Sequence, residues 1–129
     1  MKTRLLAVFA TLLILSVACN KDTQSFDSCE KLSSGLAAND DGNIGMAIDK
    51  MISNLPSADY SGDNLNALTA KISSQCGITS ELTCLNCNHS SILESEIKLT
   101  YTVSGVQKAK FIVIRQTDSD KMAFSGTHD

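Results

Sequence analysis

Glu96-Ile97-Lys98-Leu99-Thr100-Tyr101-Thr102-Val103, then Ser104-Gly105, then Val106-Gln107-Lys108-Ala109-Lys110-Phe111-Ile112-Val113-Ile114-Arg115 is the stretch on which the fold turns. Ile97, Leu99, Tyr101 and Val103 alternate with Glu96, Lys98, Thr100 and Thr102, the pattern of a strand with one face buried. Ser104-Gly105 marks a turn, and its length decides which side chains of the return strand share the apolar face, because a slip of one residue exchanges the two faces. A two-residue loop sets Tyr101 opposite Lys108 and Leu99 opposite Lys110, bringing charge onto that face. An odd-length loop with a bulge at Gly105 sets Tyr101 opposite Ala109, Leu99 opposite Phe111 and Ile97 opposite Val113. The odd loop is the reading that keeps lysine out, and it makes Leu99, Phe111 and Phe124 core. It leaves Ile112 and Ile114 on the opposite face beside Lys98, Lys108 and Lys110, as a small harmless apolar patch, the favoured reading, or as part of a contact surface. The same counting across Asp118-Ser119-Asp120 lays Thr117 against Met122 and Arg115 against Phe124. Three antiparallel strands are expected, about 94–104, 107–117 and 121–126.

The residues before this meander read as helices. Phe26, Cys29, Leu32 and Leu36 have helical spacing, weakened by Ser33-Ser34-Gly35, and Asn39-Asp40-Asp41-Gly42 breaks the chain. From Asn43 to Leu55, Ile44, Ala47, Ile48, Met51, Ile52 and Leu55 form one stripe, with Asn43 as the expected cap and Pro56 just beyond. A third helix follows Ser61-Gly62-Asp63, carries Leu65, Leu68, Ile72 and Cys76, and stops at Gly77. Helices with apolar stripes and a sheet with one apolar face bury each other. The expectation is a two-layer α+β fold, an N-terminal layer of about three helices on a C-terminal three-stranded antiparallel meander.

The first residues carry an address. Lys2 and Arg4 precede the apolar run Leu5–Leu15, the outline of an export signal, and Ser16-Val17-Ala18-Cys19 leads into polar Asn20-Lys21-Asp22. This resembles the lipobox of bacterial lipoproteins, with Leu15 standing one position earlier than the leucine of the commonest form. The resemblance covers residues 1–22. It implies cleavage before Cys19, acylation of that thiol, and attachment to the membrane of the cell envelope through the N-terminal lipid. The apolar run is shorter than the roughly 20 residues a spanning helix needs. The expected division is a signal peptide over 1–18, a lipidated N-terminus and tether over 19–25, and a single small domain over 26–129.

Eleven Lys/Arg stand against fourteen Asp/Glu, a net charge of −3, and removing Lys2 and Arg4 with the signal deepens it to −5. No basic cluster is present, which argues against a nucleic-acid partner. Four cysteines remain after Cys19, namely Cys29, Cys76, Cys84 and Cys87, and an even number in an exported chain reads as two disulfides. In an up-down-up helix order Cys29 and Cys76 lie at opposite ends of a layer roughly 20 Å long. A disulfide needs Cα atoms within about 7 Å, so each is expected to pair with one member of Cys84 and Cys87.

Cys76, Cys84-Leu85-Asn86-Cys87 and His89 also hold the residue types of a zinc site, and Cys84-x-x-Cys87 those of a thiol-redox pair. The spacing is unusual for zinc, and no strand-then-helix pattern supports a redox motif. Either remains the alternative to a non-enzymatic binding or interaction module. Asn39-Asp40-Asp41-Gly42-Asn43 fails as a calcium loop, because placing Gly42 sixth puts Ala37 and Ile48 where carboxylates are required. Asn88-His89-Ser90 is a formal glycosylation sequon without meaning in a bacterial lipoprotein. His89 and His128 read as lone surface histidines. No cofactor is implied, and no catalytic motif stands out.

Overall fold

The computed structural model describes residues 28–89 and 92–129. Helix α1 covers 28–38, α2 Asp41–Ser53 and α3 Gly62–Cys76, followed by strands β1 (Thr79–His89), β2 (Ile92–Val103), β3 (Val106–Gln116) and β4 (Met122–His128). The strands form one antiparallel sheet in the order β1-β2-β3-β4. The α+β expectation holds in class, with helices first and sheet second, but the sheet has four strands rather than three.

The additional strand, β1, occupies residues between the third helix and the expected first strand, to which the sequence pattern assigns no element. Its sequence, Thr-Ser-Glu-Leu-Thr-Cys-Leu-Asn-Cys-Asn-His, lacks the alternation that marks a half-buried strand. Two irregularities, between Leu82 and Cys84 and between Cys84 and Cys87, break its register against β2. On its helix-facing side Ser80 stands where an apolar residue would be expected, and its hydroxyl donates to the Thr69 carbonyl of α3 at 2.7 Å.

The β2–β3 register is that of the rejected two-residue loop. Val103 pairs with Val106, Tyr101 with Lys108, Leu99 with Lys110, Ile97 with Ile112 and Ser95 with Ile114. Ser104 and Gly105 have φ of 52° and 79°. Positive φ at both central residues is the turn whose twist matches that of the flanking strands. Glycine takes this conformation without cost, and serine at 104 accepts it locally. Ile112 and Ile114, expected on the open face, are therefore fully buried, while Phe111 lies on the outer face with its ring stacked on His128. Leu99 is core as expected. Met122 and Phe124 both reach the helix side, though by other pairings, with Met122 opposite Gln116 and Phe124 opposite Ile114 after a bulge.

The same register carries Lys110 onto the buried face, where it is 5% exposed. Its ammonium emerges at the end of the sheet and donates to Asn39 Oδ1 at 2.5 Å and Asp129 Oδ1 at 3.0 Å. A buried charge is tolerated when it is paired and hydrogen-bonded, and the aliphatic stem is itself apolar surface. Asn39 is placed for this by the helix ends. It has a φ of 54° as the residue after α1, its N–H donates to Leu36 O, and the Asp40 N–H donates to Gly35 O at 2.8 Å, which closes the last turn of α1. Asp40 then caps α2, its carboxylate accepting from the N–H groups of Gly42 and Asn43. The cap is thus Asp40 rather than Asn43, and α2 begins earlier and ends earlier than the apolar stripe alone indicated. Gly77 ends α3 in the left-handed conformation, as expected.

The helices trace three sides of the sheet. α2 lies over β4, with Thr127 Oγ1 donating to Asp41 Oδ1 at 2.6 Å near one end and the Phe124 N–H donating to Asp49 further along. Gly45 permits this approach, since a Cβ there would stand 2.7 Å from the Phe124 ring. The chain crosses the far end through Ala58 and Tyr60, whose backbones pair with Met122 and Asp120. α3 returns over β1, and α1 spans the near end between Cys76 and Lys110. Leu32, Ile44, Ile48, Met51, Leu65, Leu68 and Ile72 from the helices meet Ile97, Leu99, Ile112 and Ile114 in one core. The buried hydroxyl of Ser95 is satisfied by Tyr60 OH at 2.6 Å and by the Asn86 N–H.

Replacing Ile112 by Ala removes fully buried volume and is expected to cost about 2 to 5 kcal/mol. Phe111→Ala loses only a half-buried ring contact, worth about 1 kcal/mol. Denaturant unfolding of both variants checks the register, and a larger loss at Phe111 than at Ile112 would restore the odd loop.

Candidate functional site

Cys29 stands in the first described turn of α1 and Cys76 is the last residue of α3, and the two are bridged with Cα atoms 5.0 Å apart. This overturns the expectation that Cys29 and Cys76 are kept apart. The error lay in the helix order: α1 does not run beside α3 but crosses the end of the layer, so its start meets the end of α3. The bridge closes the helical layer into a ring.

Beside this bridge opens a concavity of about 1400 Å³ between α1 and the projecting β2–β3 hairpin. Its walls carry Ser33, Gln75, Thr79, Tyr101, Thr102 and Gln107, and its only charged lining residues among those described are Glu30 and Lys31. Together with Leu36, Ile78 and Val103, such a surface offers apolar contact, neutral hydrogen-bond donors and acceptors, and one aromatic ring. The two cysteines that line it are spent in the bridge, so it presents no thiol nucleophile.

Cys84 and Cys87 form the second close pair, with Cα atoms 5.9 Å apart. They sit opposite Glu96 and Glu94 on the sheet face turned away from the helices, on the irregular part of β1. Asn86, with a φ of 56°, lies in the irregularity between them. Because Cys76 is held by Cys29, the three thiols of the zinc alternative stand in two separate places. Among the described residues no group of three or more His, Cys, Asp or Glu side chains converges as metal ligands. The backbone of His89 pairs with Ile92. Cys19, the expected lipid attachment point, lies outside the described residues, as does Ser90 of the sequon.

Two polar clusters escaped the reading of the sequence. Lys110 with Asn39 and Asp129 followed from the register and was missed with it. His128, expected to stand alone, contacts Glu96 Oε1 through Nε2 at 3.0 Å and stacks on Phe111 at 4.9 Å between ring centroids. The partners in both clusters are distant in sequence, so nothing local marks them. At the far end, the Lys121 ammonium donates to Asp59 Oδ1 beside a backbone bridge between the two residues. That hydrogen bond and the charge of Lys121, with a further contribution from Ser57, hold the Asp59 carboxyl below the usual aspartate range.

No known protein family, curated protein or solved structure matches this chain.

The two bridges differ in the loops they close, 47 residues of sequence separation for Cys29–Cys76 against 3 for Cys84–Cys87. By loop entropy the first contributes about 4 kcal/mol and the second about 2. Unfolding of the two double alanine variants should show the larger loss for Cys29→Ala with Cys76→Ala. Equal losses, or a peptide linking Cys29 to Cys84 in a non-reducing map, would contradict the assignment.

Asp59 is expected to titrate below 3.8 and to return toward that value in Lys121→Gln, measured by carboxyl carbon chemical shifts. A depressed carboxyl supports the folded state above its unfolded pKa and loses that support as pH falls through the folded value. Because Asp59 is exposed, acidification should loosen the contact of 57–60 with Lys121 without unfolding the domain. An unchanged titration in Lys121→Gln would remove the ion pair from the account.

Proposed function

We propose that this chain is a lipid-anchored protein of the bacterial cell envelope, whose disulfide-closed α+β domain is a non-enzymatic binding or interaction module. The observation that carries the reading is the run from Lys2 and Arg4 through the apolar Leu5–Leu15 to Ser16-Val17-Ala18-Cys19. These residues lie outside the described structure, so support comes from elsewhere in the chain. The four later cysteines stand at disulfide distance in two pairs, which suits an exported, oxidising compartment. Among the described residues no helix is long and apolar enough to cross a membrane; in this reading the lipid supplies the attachment. Two or more acyl chains give stable anchoring where a single chain is marginal. The hydroxyl- and amide-lined concavity beside Cys29–Cys76 is the surface best suited to a partner, since it offers contact and hydrogen bonds without a catalytic group.

Cys19→Ala removes the thiol that acyl transfer needs. The variant should leave the detergent phase and the membrane fraction and appear soluble. A Cys19→Ala protein that still fractionates with membranes after signal cleavage would end this reading.

A further inference from the structure

The buried face of the β2–β3 hairpin continues past the helices that cover it. Beyond Leu99 and Lys110, the same face carries Tyr101 and Val103 on β2 and Val106 and Lys108 on β3. Tyr101 and Val103 are half-buried, whereas Lys108 is exposed and Val106 is 58% exposed, among the most exposed large apolar residues described. From Ile97 to Ile114 the hairpin contains Lys98, Lys108 and Lys110 and no Asp or Glu, in a chain whose net charge is −3. The ammonium of Lys110 is occupied by Asn39 and Asp129, while Lys108 has no ion pair among the described residues. The tip thus offers an exposed valine, a half-buried valine and tyrosine, and one lysine unpaired among the described residues, residue types that anchor a segment at a headgroup layer.

The place where the chain enters the domain makes the same choice. Cys29 is bridged to Cys76, three residues before Thr79, and Thr79 pairs with Thr100. The N-terminus of α1 is thus at the hairpin end of the sheet. Between Cys19 and Ser28 lie nine residue steps, which span at most about 30 Å when fully extended. The tip lies four residues past Thr100, roughly 13 Å, and is reached with slack. The opposite end, at Ile92, lies eight residues the other way, roughly 26 Å, so turning it to the bilayer would draw the tether nearly taut along the whole domain.

Resting on the lipid-anchor reading above, we infer that the β2–β3 hairpin tip, with Val103, Val106, Tyr101 and Lys108, is a membrane-contact surface that lies against the anionic bilayer to which Cys19 is attached. The anchor and the hairpin then hold the domain at two points. This fixes its orientation, with the Asp59, Asp118 and Asp120 end directed away from the lipid. The concavity walled by Tyr101 and Thr102 comes to lie at the headgroup level.

The test uses the full lipidated chain, which contains no tryptophan, reconstituted in vesicles of phosphatidylcholine with phosphatidylglycerol. Val106→Trp places a fluorophore at the tip and, in a separate protein, Asp118→Trp places one at the far turn. Vesicle flotation is read first, then emission with and without brominated phosphatidylcholine. The expected result is that both proteins float, that Val106→Trp is blue-shifted and quenched by the brominated lipid, and that Asp118→Trp is neither. Adding Lys108→Glu to Val106→Trp should reduce the quenching while flotation persists. Floating protein with Val106→Trp quenched no more than Asp118→Trp overturns the hairpin contact and leaves the anchor intact. A blue shift that grows with protein density and is insensitive to brominated lipid overturns it in favour of a second copy of this chain. Protein that does not float overturns the anchor reading and the contact with it.

Discussion

The two-residue turn at Ser104-Gly105 is the constraint on which the rest of the molecule depends. With both residues at positive φ, it pairs Val103 with Val106 and leaves no freedom in the register beyond. Every second residue of β3 then faces the helices, which buries Ile112 and Ile114 completely and carries Lys110 in with them. The lysine imposes its own demand. Its ammonium has to leave the core at the sheet end, and what it meets there is the side chain of Asn39, the residue that terminates α1. One turn of the chain thereby ties the sheet register to the position of a helix end 71 residues away.

The helical layer answers a different problem. Three amphipathic helices in a short chain bury their stripes best when each covers a different part of the sheet, and the observed order does this, with α2 over β4, α3 over β1 and α1 across the near end. Such an arrangement brings the start of the first helix to the end of the third, where Cys29 and Cys76 lock it. Closing so long a loop restricts the unfolded chain substantially. It also leaves the hairpin projecting past α1, which creates the concavity and exposes the tip.

Much of the architecture was legible from the sequence because it rests on periodicity. The stripe Ile44, Ala47, Ile48, Met51 and Ile52, the stop at Gly77, and the alternation Ile97, Leu99, Tyr101 are local patterns with one physical meaning. What was not legible depends on compensation at a distance. A lysine on the core face is prohibitive unless its ammonium is received, and Asn39 and Asp129, both distant in sequence, receive Lys110. β1 was invisible because its inward face uses Ser80, hydrogen-bonded to Thr69, where an apolar residue would have announced a strand. The Cys29–Cys76 bridge was misjudged because spacing along helices does not reveal whether a helix lies beside its neighbour or across its end. Of the candidate site, the cysteines were recognised as pairs to be made, but the concavity beside one pair is a product of tertiary arrangement alone.

These features bear on the proposed function through geometry. If the proposed lipid anchor holds the chain, a domain entered at its hairpin end and closed by a bridge there presents the concavity of mixed apolar and hydroxyl lining near the point of attachment. The burial of the sheet face and the seating of Lys110 against the end of α1 follow from the β2–β3 register, so that register is the claim to test most directly. Cross-strand nuclear Overhauser effects between the backbone protons of β2 and β3 measure it without substitution. The account predicts proximity of Leu99 to Lys110 and of Ile97 to Ile112. Proximity of Leu99 to Phe111 and of Ile97 to Val113 would contradict it.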